Sequence, residues 1–337
     1  MSKNEELIGN AKIGGANMSK LFKRDFTMVV IGQIISLFGN AILRFALPLY
    51  LLRETDSSSL FGVVTACAFI PMVIFSLFGG VIADRKNKRN IMVTLDFTTA
   101  AVILIFSFAL GKVSLVPLMI AVLMILYGIF GIYQPAVQAS IPLIVEKQFL
   151  MQGNAVINMV STLAGLLGPI TGGVLFGAFG IMPILFISAG CFVFSAVMEI
   201  FIYIPFEKNI DGKSILGAVG SDLSDSFKFI KNQKPIFLSV LGIVALINLI
   251  LSAMMIVGIP IIVVQILGMS DTALGITQGA MGLGGLAGGI IAGAAAEKLR
   301  LRNGYVFLII CSLAAAFMGI SLFEAAPKNV GYFVITV

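Results

Sequence analysis

Histidine and tryptophan are absent from the 337 residues, cysteine occurs three times, and Asp, Glu, Lys and Arg together make up 11% of the chain. Without histidine the chain lacks the commonest general base, metal ligand and pH switch. Cys67, Cys191 and Cys311 are an odd number and each lies inside an apolar run, so they read as small core residues and not as a disulfide or metal framework. No nucleophile and base pair, metal cluster or cofactor loop stands out, so neither an enzyme nor a bound cofactor or metal is expected. The net charge of +6 would point to nucleic acid only if a soluble domain carried a basic face, and there is no such domain. With 59% hydrophobic residues and a mean hydropathy of +1.07, the chain has too little polar surface to coat a soluble particle. It is an all-α polytopic membrane protein whose first partner is the lipid bilayer.

Residues 1–25 are polar and lack the apolar core and cleavage site of a signal peptide. Apolar runs follow at 26–52, 60–83, 91–111, 115–142, 154–179, 181–204, 235–267, 272–296 and 304–323. Each meets the roughly 20 residues that cross a hydrocarbon core. Assigning the loops to alternate sides puts 18 of the 22 Lys and Arg on one face and Arg53, Lys112 and Lys328 on the other, with Arg44 inside a helix. That asymmetry predicts a cytoplasmic amino terminus in the cell membrane. Between Pro205 and Lys234, Leu216, Val219, Leu223, Phe227 and Ile230 recur at steps of three and four. They predict an amphipathic helix, either lying on the membrane surface or packed on the protein as a linker. The nine residues Asn329–Val337 are too short to cross, so a tenth helix begins and is cut.

The run at 60–83 stops, after Gly80, in a turn that crowds the four cations Arg85, Lys86, Lys88 and Arg89 around the carboxylate of Asp84. An ordinary positive-inside loop would give such a cluster. Its spacing, however, resembles the Gly-x-x-x-Asp-Arg-x-Gly-Arg-Lys motif between helices 2 and 3 of the major facilitator superfamily. Asn87 stands at the motif's second glycine, a residue type that tolerates a left-handed turn. A second copy follows 213 residues on, with Glu297 over Asp84 and Arg302 over Arg89, and its flanks match as Gly62 over Gly275. Such a repeat is expected of two bundles related by pseudo-symmetry. The resemblance implies the major facilitator fold: two pseudo-symmetric six-helix bundles, the second incomplete, with nine full helices and part of a tenth. The expected parts are a tail at 1–25, an N-terminal bundle at 26–204, a linker at 205–234 and a partial C-terminal bundle at 235–337. A complete chain is expected to run to about 415 or 420.

On helix 1, Gln33, Asn40 and Arg44 share a face, with Ser36 beside it; on helix 4, Tyr127, Gln134 and Gln138 repeat the same spacing; on helix 7, Asn248, Ser252 and Met255 align. Polar side chains in lipid face a bundle interior or a water-filled cavity. They serve either as interhelical hydrogen-bond glue or as cavity lining. The resemblance implies the second, because these helices line the family's central cavity. Of the intramembrane acids, Asp96 is close enough to the basic turn to pair with Arg85 or Arg89 in a gate. Glu199 stands near the cytoplasmic end of helix 6, where it can snorkel to the interface or couple transport to protons. Helix 5 carries Gly168, Pro169, Gly172 and Gly173, which resemble the superfamily's antiporter motif, with Ala164 at its first glycine. Gln134-Pro135-Ala136 and Gly153-Asn154-Ala155 resemble the macrolide-efflux and siderophore-export branch, although the helix-4 arginine of many drug exporters is absent. The glycines from Gly282 to Gly289 lie inside a spanning helix and permit close packing, not nucleotide binding.

The resemblance therefore implies a monomeric secondary transporter that exports an amphipathic small molecule in exchange for protons. A proton-coupled uptake symporter and a non-transporting fragment are the alternatives.

Overall fold

The computed structural model describes residues 21–206, 236–294, 304–320 and 328–336, together with Gly217, Gly220, Ser224 and 228–230. The tail at 1–20, most of the linker, including Leu216, Val219, Leu223 and Phe227, and the second basic turn with Glu297 and Arg302 lie outside the described residues. Every regular element among the described residues is helical. The helices are α1 (Arg24–Thr55), α2 (Ser58–Arg85), α3 (Lys88–Ala109), α4 (Leu115–Ile144), α5 (Leu150–Phe179), α6 (Ile181–Ile200), α7 (Ile236–Ala253), α8 (Asp271–Ala294), α9 (Gly304–Ile320) and α10 (Lys328–Thr336). Eight spans among the described residues are long and apolar enough to cross a membrane.

The breaks follow local chemistry. Asp56 between α1 and α2 adopts φ 46°, and Gly111, Gly180 and Gly268 take positive φ after α3, α5 and α7. These are the left-handed stops that favour glycine and tolerate Asp. Asn87 corrects one expectation. Its φ of −62° and ψ of 115° are extended, and its side chain accepts from the backbone N–H groups of Arg89 and Asn90. It is there as the N-cap of α3, satisfying amides that no preceding turn can reach. Prolines 48, 71, 135, 142 and 169 sit inside helices. Membrane helices tolerate them where neighbouring groups re-satisfy the freed carbonyls.

Beyond Ala253, α7 does not continue as a plain α-helix. Met254–Gly258 and Ile262–Ile266 are π turns separated by Ile259–Ile261. The amide of Ile259 bonds Met254 O, and that of Leu267 bonds Ile262 O at 2.8 Å. Pro260 lacks an amide, which disturbs the i to i+4 ladder at this point.

The chain packs as two compact units, and the division runs across helices. One comprises residues up to Gly39, Val63–Ser161 and Leu185–Leu241. Phe26, Met92, Ile103, Phe106, Met119, Leu123 and Ile141 fill its interior. There α2 and α4 meet backbone to backbone, since a Cβ on Gly131 would lie 2.6 Å from Met72 O. Ser188 and Ser195 of α6 donate to the carbonyls of Gly39 and Gly32 on α1, at 3.4 and 3.2 Å. The other unit comprises Asn40–Gly62, Thr162–Ile184 and Gly242–Val337. Ile42, Leu47, Leu49, Leu51, Leu52, Val263 and Leu274 are buried in it. Its α10 is held by Tyr332 donating to Ala273 O and by a Thr277–Thr336 hydroxyl pair at 3.0 Å.

Candidate functional site

The α5 motif divides between two neighbours in the second unit. Gly168 and Gly172 face α1: a Cβ on the first would collide with Ala41, and one on the second would lie 3.0 Å from the Phe45 ring. Gly173 and the carbonyl of Pro169 face α8. A Cβ on Gly173 would lie 2.6 Å from Asp271 O and 3.1 Å from Gly275 Cα, and one on Gly275 would collide with Pro169 O. Along the same seam Gly279 meets Ile170 and Gly282 meets Leu166. Thr272 Oγ1 donates to Gly173 O at 3.4 Å. Small residues on both helices remove the side-chain spacer, so van der Waals contact is made by backbone atoms. Sequence reading expected this face of α5 to pack closely on a partner helix without saying which one. The partners Gly275, Gly279 and Gly282 were visible as a spacing of four and then three on α8.

At the end of this seam Arg53 Nε donates to Asp271 Oδ1 at 2.8 Å, and Arg53 Nη2 donates to Met269 O at 3.3 Å. Beside it, Gln265 donates to Asp56 at 3.1 Å and accepts from Ser58. The turn between α1 and α2 is thus tied to the turn between α7 and α8. Sequence reading placed Arg53 only as a loop cation.

In the basic turn, Ala83 is buried, Gly80, Arg85, Lys88 and Arg89 are half-buried, and Asp84 is exposed at the end of α2. Arg89 Nε is buried without a hydrogen-bond partner. Of the polar stripes, Gln33 and Ser36 are buried, whereas Asn40, Arg44 and Gln134 are half-buried and Gln138 is exposed. Tyr127 packs edge-on against Phe69 with ring centroids 5.1 Å apart. Asn248 and Ser252 are exposed, and the Asn248 amide bonds back to Val244 O within its own helix.

Gln33 joins a different set of residues from those its stripe suggested. Its Nε2 donates to the Tyr133 hydroxyl at 2.6 Å, and that hydroxyl donates to Glu199 Oε1 at 2.8 Å. Ser36 Oγ lies 3.5 Å from the same hydroxyl. Glu199 is fully buried and does not reach toward the interface, as a snorkelling acid would. Asp96 is also buried, and the Ser195 hydroxyl of α6 is among the groups that act on it. Both carboxyls lie within electrostatic range of Tyr133. Neither Tyr133 nor Ser195 stood out in the sequence. Tyr133 sits one residue before Gln134 on another face of α4, and Ser195 precedes Glu199 by one helical turn. The spacing of Ser188, Ser195 and Glu199 was the available signal. Among the described residues no group of three metal-ligating side chains occurs.

The major facilitator superfamily profile matches residues 29–337. Macrolide efflux protein A of Streptococcus pyogenes is 23% identical over 185 residues, covering 55% of this chain and 46% of that protein. Multidrug resistance protein MdtG of Proteus mirabilis is 26% identical over 187 residues, covering 53% and 45%. The chain thus spans less than half the length of these curated relatives. Among solved structures, a bacterial homologue of the human lysosomal transporter Spinster superposes with a TM-score of 0.70 at 13% identity, covering 92% of this chain and 70% of that one. A D-xylose–proton symporter gives 0.63 at 14% identity, covering 92% and 77%. These likenesses give the fold, and the profile spans nearly the whole chain: the chain is a multi-pass membrane protein that belongs to the major facilitator superfamily.

Proposed function

We propose that the protein exports an amphipathic small molecule, of macrolide or multidrug type, across the cell membrane in exchange for protons, with its amino terminus in the cytoplasm. The observation that carries this reading is the backbone contact of the antiporter-like face of α5, through Pro169 and Gly173, with Gly275 of α8. A seam without side-chain knobs lets two helices pivot or slide while they stay in contact, which alternating access between two bundles requires. The direction and the substrate class are taken from the relatives named for macrolide efflux and multidrug resistance. In this reading Asn40, Arg44, Tyr127, Gln134, Gln138, Asn248 and Ser252 contribute the few polar anchors of a largely apolar cavity. Asp84, Arg85, Lys88 and Arg89, with Glu297 and Arg302 of the repeat, latch the cytoplasmic side.

The test is transport in vesicles of both orientations under an imposed proton gradient, with a labelled macrolide and an amphipathic dye as probes. Gradient-dependent accumulation in inside-out vesicles is the expected result. Accumulation only in right-side-out vesicles would make the protein an uptake symporter, and none in either would remove the proposal.

A further inference from the structure

In the first compact unit, α1, α3, α4 and α6 bring Gln33, Asp96, Tyr133, Ser195 and Glu199 together, each no more than 4% exposed. The polar groups that face the two acids are Gln33 and Ser36 from α1, Tyr133 from α4 and Ser195 from α6. Neither of the ion pairs Lys23–Glu146 and Arg53–Asp271 involves these two acids. Two carboxylates ionised together without a counter-cation would bear a desolvation penalty of several kcal/mol each.

Counting donors shows what is missing. The hydroxyls of Tyr133 and Ser195 carry one hydrogen each. Tyr133 gives its hydrogen to Glu199 Oε1, and the Gly32 carbonyl takes that of Ser195. Three buried oxygens then remain without a partner: Gln33 Oε1, Asp96 Oδ2 and Glu199 Oε2. All three are acceptors, and each belongs to the cluster. A group that supplies both positive charge and a hydrogen-bond donor satisfies the deficit, and a proton is the smallest one that does.

We propose that Asp96 and Glu199 form a proton-binding site that holds one proton between them, and that the Glu199–Tyr133–Gln33 chain transmits its occupancy to α1 and α4. The inference rests on the proton-exchange reading above and names the carrier within it. The proton arrives from water on one side of the membrane, forms an O–H bond to a carboxylate oxygen, and leaves to water on the other side; no other bond forms or breaks. Ionisation of Glu199 strengthens its bond from Tyr133, and protonation weakens it. Gln33, bonded to the same hydroxyl, belongs to this relay and not to the substrate contacts. Tyr133 and Gln33 are positioning residues here.

The first test does not require transport. Infrared difference spectra of the full purified chain across a pH titration in sodium-free buffer should contain a protonated-carboxyl C=O band. Asp96→Asn combined with Glu199→Gln should abolish it, while Glu54→Gln, at an exposed position, should leave it in place. A band that survives the double variant overturns the proposal, as does one displaced by sodium at constant pH. In the second test, Glu199→Gln should lower gradient-driven accumulation about tenfold or more while substrate exchange without a gradient changes less than about twofold. Equal losses in the two assays would reduce Glu199 to a structural part. Tyr133→Phe should shift the pH midpoint of the band without removing it; an unchanged midpoint would refute the relay. A wild-type chain that moves no substrate but has the band would count against the export reading and leave the site standing.

Discussion

Gly173→Ala should destabilise the protein, and the amount can be worked from the contact it makes. The added carbon would lie 2.6 Å from Asp271 O and 3.1 Å from Gly275 Cα. A close carbon–oxygen contact is about 3.3 Å, so the two helices must separate by roughly 0.7 Å. Both sides of the clash are backbone, and no side chain can rotate away. A gap of that size forfeits about a quarter to a half of each dispersion well along the seam. Among the contacts loosened are those of Gly177 with Thr272 and of Gly279 with Ile170. Overpacking of this kind costs about 1–3 kcal/mol. At about 2–4 °C per kcal/mol for a domain of comparable size, the melting midpoint of the detergent-solubilised protein should fall by several degrees. Gly165→Ala is the control: the same substitution on the same helix, at a site where a Cβ meets nothing within 4 Å. It should stay within about 0.5 kcal/mol of the parent. Gly275→Ala should match Gly173→Ala, and the double variant should cost less than the sum, because one separation relieves both clashes. If thermal melting followed by size-exclusion chromatography finds Gly173→Ala and Gly165→Ala indistinguishable, the seam is not the tight contact described.

The Arg53–Asp271 pair should contribute about 0.2–1 kcal/mol in a double-mutant cycle with alanine, read by melting, and that coupling should shrink as salt rises. A coupling that ignores ionic strength would show that packing of the arginine stem, not charge, joins the two turns. At position 87, Asn87→Ala should cost about 0.5–2 kcal/mol and Asn87→Gly only a few tenths, since glycine is an acceptable N-cap and alanine is not. If Gly proves as damaging as Ala in the same melting assay, the side-chain cap is not what fixes the start of α3.

Much of the architecture was legible because the hydrocarbon core imposes a length that a sequence cannot disguise. The runs that became α1 to α6 were visible as apolar stretches, and α10 as a segment too short to cross. The repeat that aligned Gly62 with Gly275 also pointed at a residue of the α5–α8 seam. The polar network was less legible. Gln33 was recognised as one of a stripe, but a stripe records only which residues share a face. It does not say which neighbour that face meets, and the face of Gln33 meets Tyr133 and not Gln134 or Gln138. Glu199 was left between two readings for a related reason. Its position near a helix end permits either an outward or an inward rotamer, and only the packing of α1 and α4 around it decides. The π turns of α7 were hidden because composition carries no mark of an i to i+5 ladder beyond the presence of Pro260.

Those widened turns have a consequence for how α7 is to be probed. Each one takes in an extra residue relative to an α-helical count, and one residue is a rotation of about 100°. After both, whatever follows Ile266 has swung by roughly 200° from where a helical wheel drawn on α7 would put it. Gln265 meets Ser58 and Asp56 from inside the second turn. Excising a single residue near Val257 would remove one increment and turn that amide off its partners, although no group that touches Ser58 or Asp56 had been altered.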